Sequence, residues 1–210
     1  KPLATASAIL FLVQEGRVSL TQTLPTLLEE TKGVPWAQVS LRDLLSHQSG
    51  LPAWRPFYQS FPPTFSSEPA FRQKRIQAVL EMILEEPIDQ SSPSTSTYSD
   101  LGYMVLGFVV ERVTGQSLAD FIRERIFNPV GASPLAFGMH DIKGDVLDRI
   151  APSEEDPWRG RLLHGEVHDE NAAALGGIAG HAEPLGHGHH LRANAAQAQQ
   201  AQRLAAQADP

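Results

Sequence analysis

The sequence contains no cysteine in its 210 residues. No disulfide can form, which suits an exported bacterial chain and a cytosolic one equally, so cysteine usage leaves the compartment open. It has no basic cluster either, and its formal net charge is −7; this argues against nucleic acid as a partner. No apolar run reaches the roughly 20 residues of a membrane span, so this stretch of chain is expected to be soluble. What is there is a chain with 41% hydrophobic residues, enough for one substantial core or for part of a larger two-lobed protein.

The apolar residues recur mainly at helical spacing. Leu3 to Glu15 reads as one helix, and Thr21 to Glu30 as a weaker one interrupted by Pro25. Ser40 to Gln48 reads as another, with Ser40 and Asp43 as a variant capping box, Gly50 as its stop and Pro52 as the breaker beyond. Residues 53–70 are rich in Pro, Phe and Ser and read as a long loop able to border a cleft. Ile76, Val79, Leu80, Ile83 and Leu84 mark one face of a helix from Phe71 to Glu86, ended by Pro87. Ser91 to Thr97 reads as a flexible approach to Tyr98. Ser117 and Asp120 cap a further helix that Asn128-Pro129 terminates. From Ala132 to Leu163 the signals weaken into turns.

The most informative stretch is YSDLGYMVLGFVVERVTG, Tyr98 to Gly115. Its centre has hardly any polar face, which predicts a helix buried in a core. Asp100 is expected to be the N-cap and Gly115 the C-terminal stop. A Tyr-Ser-Asp triplet at the mouth of a buried helix is a way to fix a proton-handling phenol in place.

Four segments together resemble the serine β-lactamase and penicillin-binding-protein superfamily, in the branch of class C β-lactamases, D-alanyl-D-alanine carboxypeptidases and related esterases. Lys1 with PLATASAILFLVQEGRVSL resembles the lysine closing a Ser-x-x-Lys motif and the helix that follows it. SLRDLLSHQSGLP, Ser40 to Pro52, resembles the branch's helix-and-turn signature, and Tyr98-Ser99-Asp100 its Tyr-x-Asn motif. HDENAAALGGIAGH, His168 to His181, resembles a glycine-rich loop bordering the active site. The resemblance runs from Lys1 to about Ala182.

It implies an α+β, β-lactamase/transpeptidase-like fold, here a mostly helical fragment lacking most of the antiparallel sheet. Central helices are then expected to expose apolar faces that strands would cover. The partial domain is expected over residues 1–182, with a low-complexity tail over 183–210 whose Ala193 to Ala208 portion frays or stays disordered. The resemblance also implies a serine acyl hydrolase working through an acyl-enzyme on a β-lactam, a D-amino-acid peptide or a small ester, with no cofactor. The nucleophilic serine would stand three residues ahead of Lys1, and no stretch matches the family's later Lys- or His-centred triplet, so this chain reads as an incomplete copy without serine turnover of its own. A periplasmic or secreted location goes with the family.

In this reading the site residues are Lys1, Tyr98 and Asp100. A serine hydroxyl needs a neighbouring base; Tyr98 would move the proton while Lys1 holds and polarises the serine and the phenol, the two tuning each other as a coupled pair. Asp100 replaces the usual Asn. A carboxylate only accepts hydrogen bonds, so Asp100 is expected to lose the amide's substrate contact and to pair with Lys1 instead.

Other residues read as structural. His47 and Ser49 lie in a turn and are expected to tie it to its neighbours. His164 and His168 stand four apart and a helix could present both to a metal, but Gly165 intervenes and no Glu completes a zinc-protease pattern. His181, His187, His189 and His190 crowd in sequence without a rigid supporting shell. Two alternatives to the acyl hydrolase stay open: a non-catalytic module binding a peptidoglycan-like ligand or a protein, and a metal-dependent hydrolase.

Overall fold

The computed structural model describes residues 1–64, 66, 68–88, 96–131 and 151–182. The expectations for residues 91–95, for 132–150 and for the tail over 183–210 fall outside these residues, as do His187, His189 and His190.

The architecture is built around one helix. The regular helices are α1 (Ser7–Gln14), α2 (Leu41–Leu45), α3 (Pro69–Leu84), α4 (Asp100–Thr114), α5 (Leu118–Ile122) and α6 (Glu170–Ala174). Helix α4 is buried at every residue from Leu101 to Glu111, and α1, α2, α3 and α5 all pack against it. A sequence apolar on all sides can be satisfied only at the centre of a layer, and α4 occupies that place.

Its ends are fixed by local chemistry, with one correction to expectation. The N-cap is Ser99 and not Asp100: the Ser99 hydroxyl accepts from the Gly102 N–H at 3.1 Å and donates to the Pro52 carbonyl at 2.7 Å. Asp100 has entered the first helical turn, where its charge still suits the helix dipole. Gly115 ends the helix in left-handed conformation, φ 72°.

Several expected helices come out shorter. The N-terminal segment divides into a π-helical turn over Pro2–Ala6 and then α1. Thr21 to Glu30 forms no α-helix; it makes two 3-10 turns, Leu24–Thr26 and Glu29–Thr31, because Pro25 removes a donor and suits the first turn of a tight helix. The Ser40/Asp43 capping box forms as expected, yet α2 stops at Leu45, and the first left-handed residue beyond it is His47 rather than Gly50. Helix α3 starts at Pro69, a favoured first helical residue. Ser117 caps α5, whose continuation over Arg123–Phe127 is a π-helical turn.

A two-stranded antiparallel hairpin, β1 (Glu155–Asp156) and β2 (Arg161–Leu162), lies where only turns were expected. Two-residue strands are too short to leave a periodic signal. The Arg159 side chain at its tip is almost fully buried; it pairs with Asp156 and donates to the carbonyls of Val167 at 2.8 Å and His168 at 2.6 Å. The hairpin thereby holds the approach to α6.

Two contacts lock the remaining pieces onto α4. Gly107 faces Gly180 so closely that a Cβ on Gly107 would lie 3.0 Å from the Gly180 Cα, and a Cβ on Gly180 would overlap the Tyr103 carbonyl oxygen. The glycine-rich loop therefore packs backbone to backbone against α4. The buried Thr5 hydroxyl donates to the Gly180 carbonyl at 2.7 Å, attaching the N-terminal turn to the same loop. On the other side Arg72 of α3 pairs with Glu111 at 2.5 Å and donates to the Ile178 carbonyl at 2.8 Å. Glu111 also accepts from the Leu118 N–H at 2.8 Å.

The expectation of exposed central helices is not met at α4. Exposed large apolar side chains occur elsewhere, at Leu3 and Leu10 of the N-terminal segment, at Val130 and at Leu162 among others.

Candidate active site

The N-terminal turn, the turn after α2 and the start of α4 meet at Lys1. Its Nζ donates to Asp100 Oδ1 at 2.5 Å across 99 residues of sequence. The same Nζ lies over the Tyr98 ring, 3.5 Å from the centroid, and 5.3 Å from the centroid of Tyr103. The three residues singled out from sequence are thus brought together. Lys1 is buried at 5% exposure, whereas Tyr98 is 66% exposed and faces the open side of the site.

A cation on an aromatic face is attracted by the ring quadrupole, by about 1 kcal/mol where, as at Tyr98, the ring stays open to water. The carboxylate of Asp100 can only accept, so the Lys1 nitrogen is the donor in that contact.

His47 completes the cluster. Its ring stacks on Tyr103, centroids 4.9 Å apart, and packs on Tyr98 at 4.5 Å. Its Nδ1 accepts from the Ser99 N–H at 3.0 Å. Burial, and then the charge of Lys1, push the imidazole below its ordinary pKa, with Asp100 opposing. Burial, reinforced by Tyr98, raises the Tyr103 phenol, whose hydroxyl donates to the Leu45 carbonyl at 3.2 Å. Ser49 is buried and accepts from the Leu51 N–H, a turn contact.

The loop beginning at residue 53 does border this cluster. The Asp100 N–H donates to the Ala53 carbonyl at 2.8 Å, and Trp54, next in sequence, is 43% exposed. Farther along, Asn171 of α6 accepts from the Tyr58 N–H at 2.9 Å and donates to the Arg55 carbonyl at 2.8 Å. Tyr58 meets Trp158 edge to face at 5.2 Å.

One pair was missed in the sequence. His181 Nε2 and Asp169 Oδ1 are 2.8 Å apart, and the same oxygen accepts from the Ala172 N–H at 2.7 Å as the N-cap of α6. Burial pushes the Asp169 carboxyl upward, but His181, the Ala172 N–H and His168 outweigh it and hold the pKa at about 2. The pair staples the two ends of the glycine-rich loop. The only signal was an Asp and a His bracketing the glycines, which spacing alone does not distinguish from chance.

His164 and His168 lie in irregular chain, so the helix that would present both imidazoles to one ion does not form. Among the described residues no group of three or more His, Asp or Glu side chains is arranged to hold a metal ion.

Comparison with known proteins places the chain in a family. The family model described as Beta-lactamase matches residues 1–209. The chain belongs to the beta-lactamase family. A relative from Escherichia coli (strain K12), named as a D-alanyl-D-alanine carboxypeptidase, is 32% identical over 200 residues, covering 87% of this chain and 45% of the relative. A Bacillus subtilis (strain 168) protein named N-acetylmuramyl-L-alanine amidase is 28% identical over 201 residues, covering 87% and 44%. This beta-lactamase-family chain thus spans less than half the length of these curated relatives.

Solved structures agree on the fold. A penicillin-binding protein from Bacillus halodurans superposes with a TM-score of 0.60 at 22% identity, covering 86% of this chain and 52% of its own. The D-amino acid amidase of Ochrobactrum anthropi gives 0.59 at 24% identity, covering 87% and 53%. The β-lactamase/transpeptidase-like assignment therefore stands, with a mainly helical chain and one small two-stranded sheet among the described residues. Among those residues no helix is long and apolar enough to cross a membrane.

Proposed function

We propose that this chain carries the lysine and tyrosine half of a serine acyl-hydrolase centre, with Lys1, Tyr98 and Asp100 as its working residues. The observation that carries the reading is the convergence of the Lys1 ammonium on both the Asp100 carboxylate and the Tyr98 ring. A serine on the helical turn preceding Lys1, three residues away, would share its face. Tyr98 takes the serine proton during acylation and passes it to the leaving group, then takes a proton from the attacking water in deacylation and gives it to the serine oxygen as the ester bond breaks; Lys1, held by Asp100, orients both hydroxyls. The substrate is an acyl compound of the class that the family's members cleave: a D-amino-acid peptide, a β-lactam or a small ester. The names of the relatives, a carboxypeptidase and an amidase, support the amide side of that range.

The test is acylation by a fluorescent penicillin and by a fluorophosphonate of a chain extended with Ser-x-x ahead of Lys1. Labelling is expected there, is expected to be absent without the serine, and is expected to fall by about a hundredfold or more in Tyr98→Phe. Full turnover in Tyr98→Phe would remove Tyr98 from its assigned role. Reversible binding of a peptidoglycan fragment with no covalent adduct in any form would select the non-catalytic binding module instead.

A further inference from the structure

Among the described residues His47 is the one non-glycine with positive φ, at 59°. Such a conformation persists only where surrounding contacts hold it. Here the His47 N–H donates to the Leu44 carbonyl at 3.2 Å, and the His47 carbonyl accepts from the Thr97 N–H at 3.1 Å and from the Ser96 hydroxyl at 3.3 Å. The ring is thereby delivered against Tyr98 and Tyr103, with Nδ1 receiving the Ser99 N–H at 3.0 Å. Four of these contacts, with Ser96, Thr97, the Tyr98 ring and the Ser99 N–H, act on the segment that carries Tyr98, yet His47 itself offers no free nucleophile or base to the site through Nδ1.

We infer that His47, as a neutral imidazole protonated on Nε2, is the positioning residue for Tyr98, fixing the tyrosine by its ring stack and by accepting the backbone N–H of the next residue. This rests on the reading that Tyr98 moves the proton. An imidazole accepts through Nδ1 only while that nitrogen is unprotonated. Protonation replaces the acceptor by a second donor facing the Ser99 N–H, so the bond is lost at the residue that caps α4. The charged groups facing the ring are Lys1 from the N-terminal turn and Asp100 from α4, and the titratable neighbours are Tyr98 and Tyr103. An imidazolium would put a second cation beside the Lys1 ammonium, with one carboxylate between them. Burial and Lys1 both favour the neutral ring, which agrees with the geometry.

The experiment follows the chain itself by NMR, with 15N-labelled histidine, from pH 8 to pH 4. The His47 ring is expected as the Nε2–H tautomer, and the Tyr98 ring and Ser99 amide signals are expected to shift with the same midpoint as the imidazole, below 6.5. His47→Asn, whose side-chain oxygen can replace Nδ1 and whose backbone tolerates left-handed conformation, is expected to keep the Ser99 amide protected. His47→Phe keeps a ring but no acceptor, and is expected to speed Ser99 exchange about tenfold. An Nδ1–H tautomer, or a His47 titration that leaves Tyr98 and Ser99 unmoved, overturns the inference; both are read on the unmutated chain, so a variant that fails to fold does not blunt the test. None of these readouts needs the serine. Loss of labelling in Tyr98→Phe with no NMR coupling would retain the catalytic reading and sink the positioning one, while coupling with full turnover in Tyr98→Phe would do the reverse.

Discussion

Replacing Asp169 by Asn removes one charge and little else. Asn caps helices about as well as Asp, so a hydrogen bond to the Ala172 N–H survives and the change removes the carboxylate's charge, which faces His181 first and His168 more weakly. The carboxyl moves from its ordinary 3.8 to about 2 in the folded chain. At about 1.4 kcal/mol per pKa unit, that displacement corresponds to about 2 kcal/mol of folding free energy. Asp169 is 23% exposed and His181 2% on their side chains, so solvent screens the contact only in part. Because the folded value is depressed, the contribution is complete above 3.8 and is lost as pH falls through that value toward 2. Urea unfolding followed by tryptophan fluorescence tests this at a series of pH values. With a slope of about 2 kcal/mol per molar urea, Asp169→Asn is expected to unfold about 1 M earlier at pH 7, and the two midpoints should converge as pH approaches 2. A difference under about 0.5 kcal/mol at pH 7, or one that stays constant into acid, would refute the assignment of the pair as a loop staple.

Two further substitutions test the packing that shapes the site. Ser99→Ala should cost about 1 to 2 kcal/mol in urea unfolding, because it removes the α4 cap together with the bond to the Pro52 carbonyl; an unchanged midpoint would return the cap to Asp100. Gly180→Ala should lower thermal stability far more than Gly115→Ala. The first drives a methyl into the Tyr103 carbonyl, whereas the second adds one in open space and bears only left-handed strain of about 1 to 2 kcal/mol. Calorimetry showing the two variants equally stable would remove the close contact between the glycine loop and α4.

Legibility in the sequence followed the range of the interaction. Helix α4 was readable because eleven successive buried residues leave an all-round apolar pattern, and Gly115, Ser117 and the Ser40/Asp43 box were readable because each cap acts within one helical turn. The choice between Ser99 and Asp100 as cap was not, since both are good cap residues and adjacent. It was decided by the Pro52 carbonyl and the His47 ring, which hold Ser99 from another part of the chain. Thr21 to Glu30 misled for a related reason: helical spacing predicts a buried face, while Pro25 dictates that the face is delivered by tight turns.

The sequence by itself determined the family and the buried central helix, and it singled out Lys1, Tyr98 and Asp100, because motif identity and helical period are local properties written in neighbouring residues. Only the tertiary structure decided that Lys1 pairs with Asp100 while covering Tyr98, that His47 faces Ser99, and that Asp169 closes on His181. Those contacts join residues 12 to 99 positions apart. Apolar patterning says which faces are buried, but it does not say which face meets which. That is settled when close backbone approaches, Gly107 on Gly180 above all, permit one arrangement around α4 in which the polar groups also find partners.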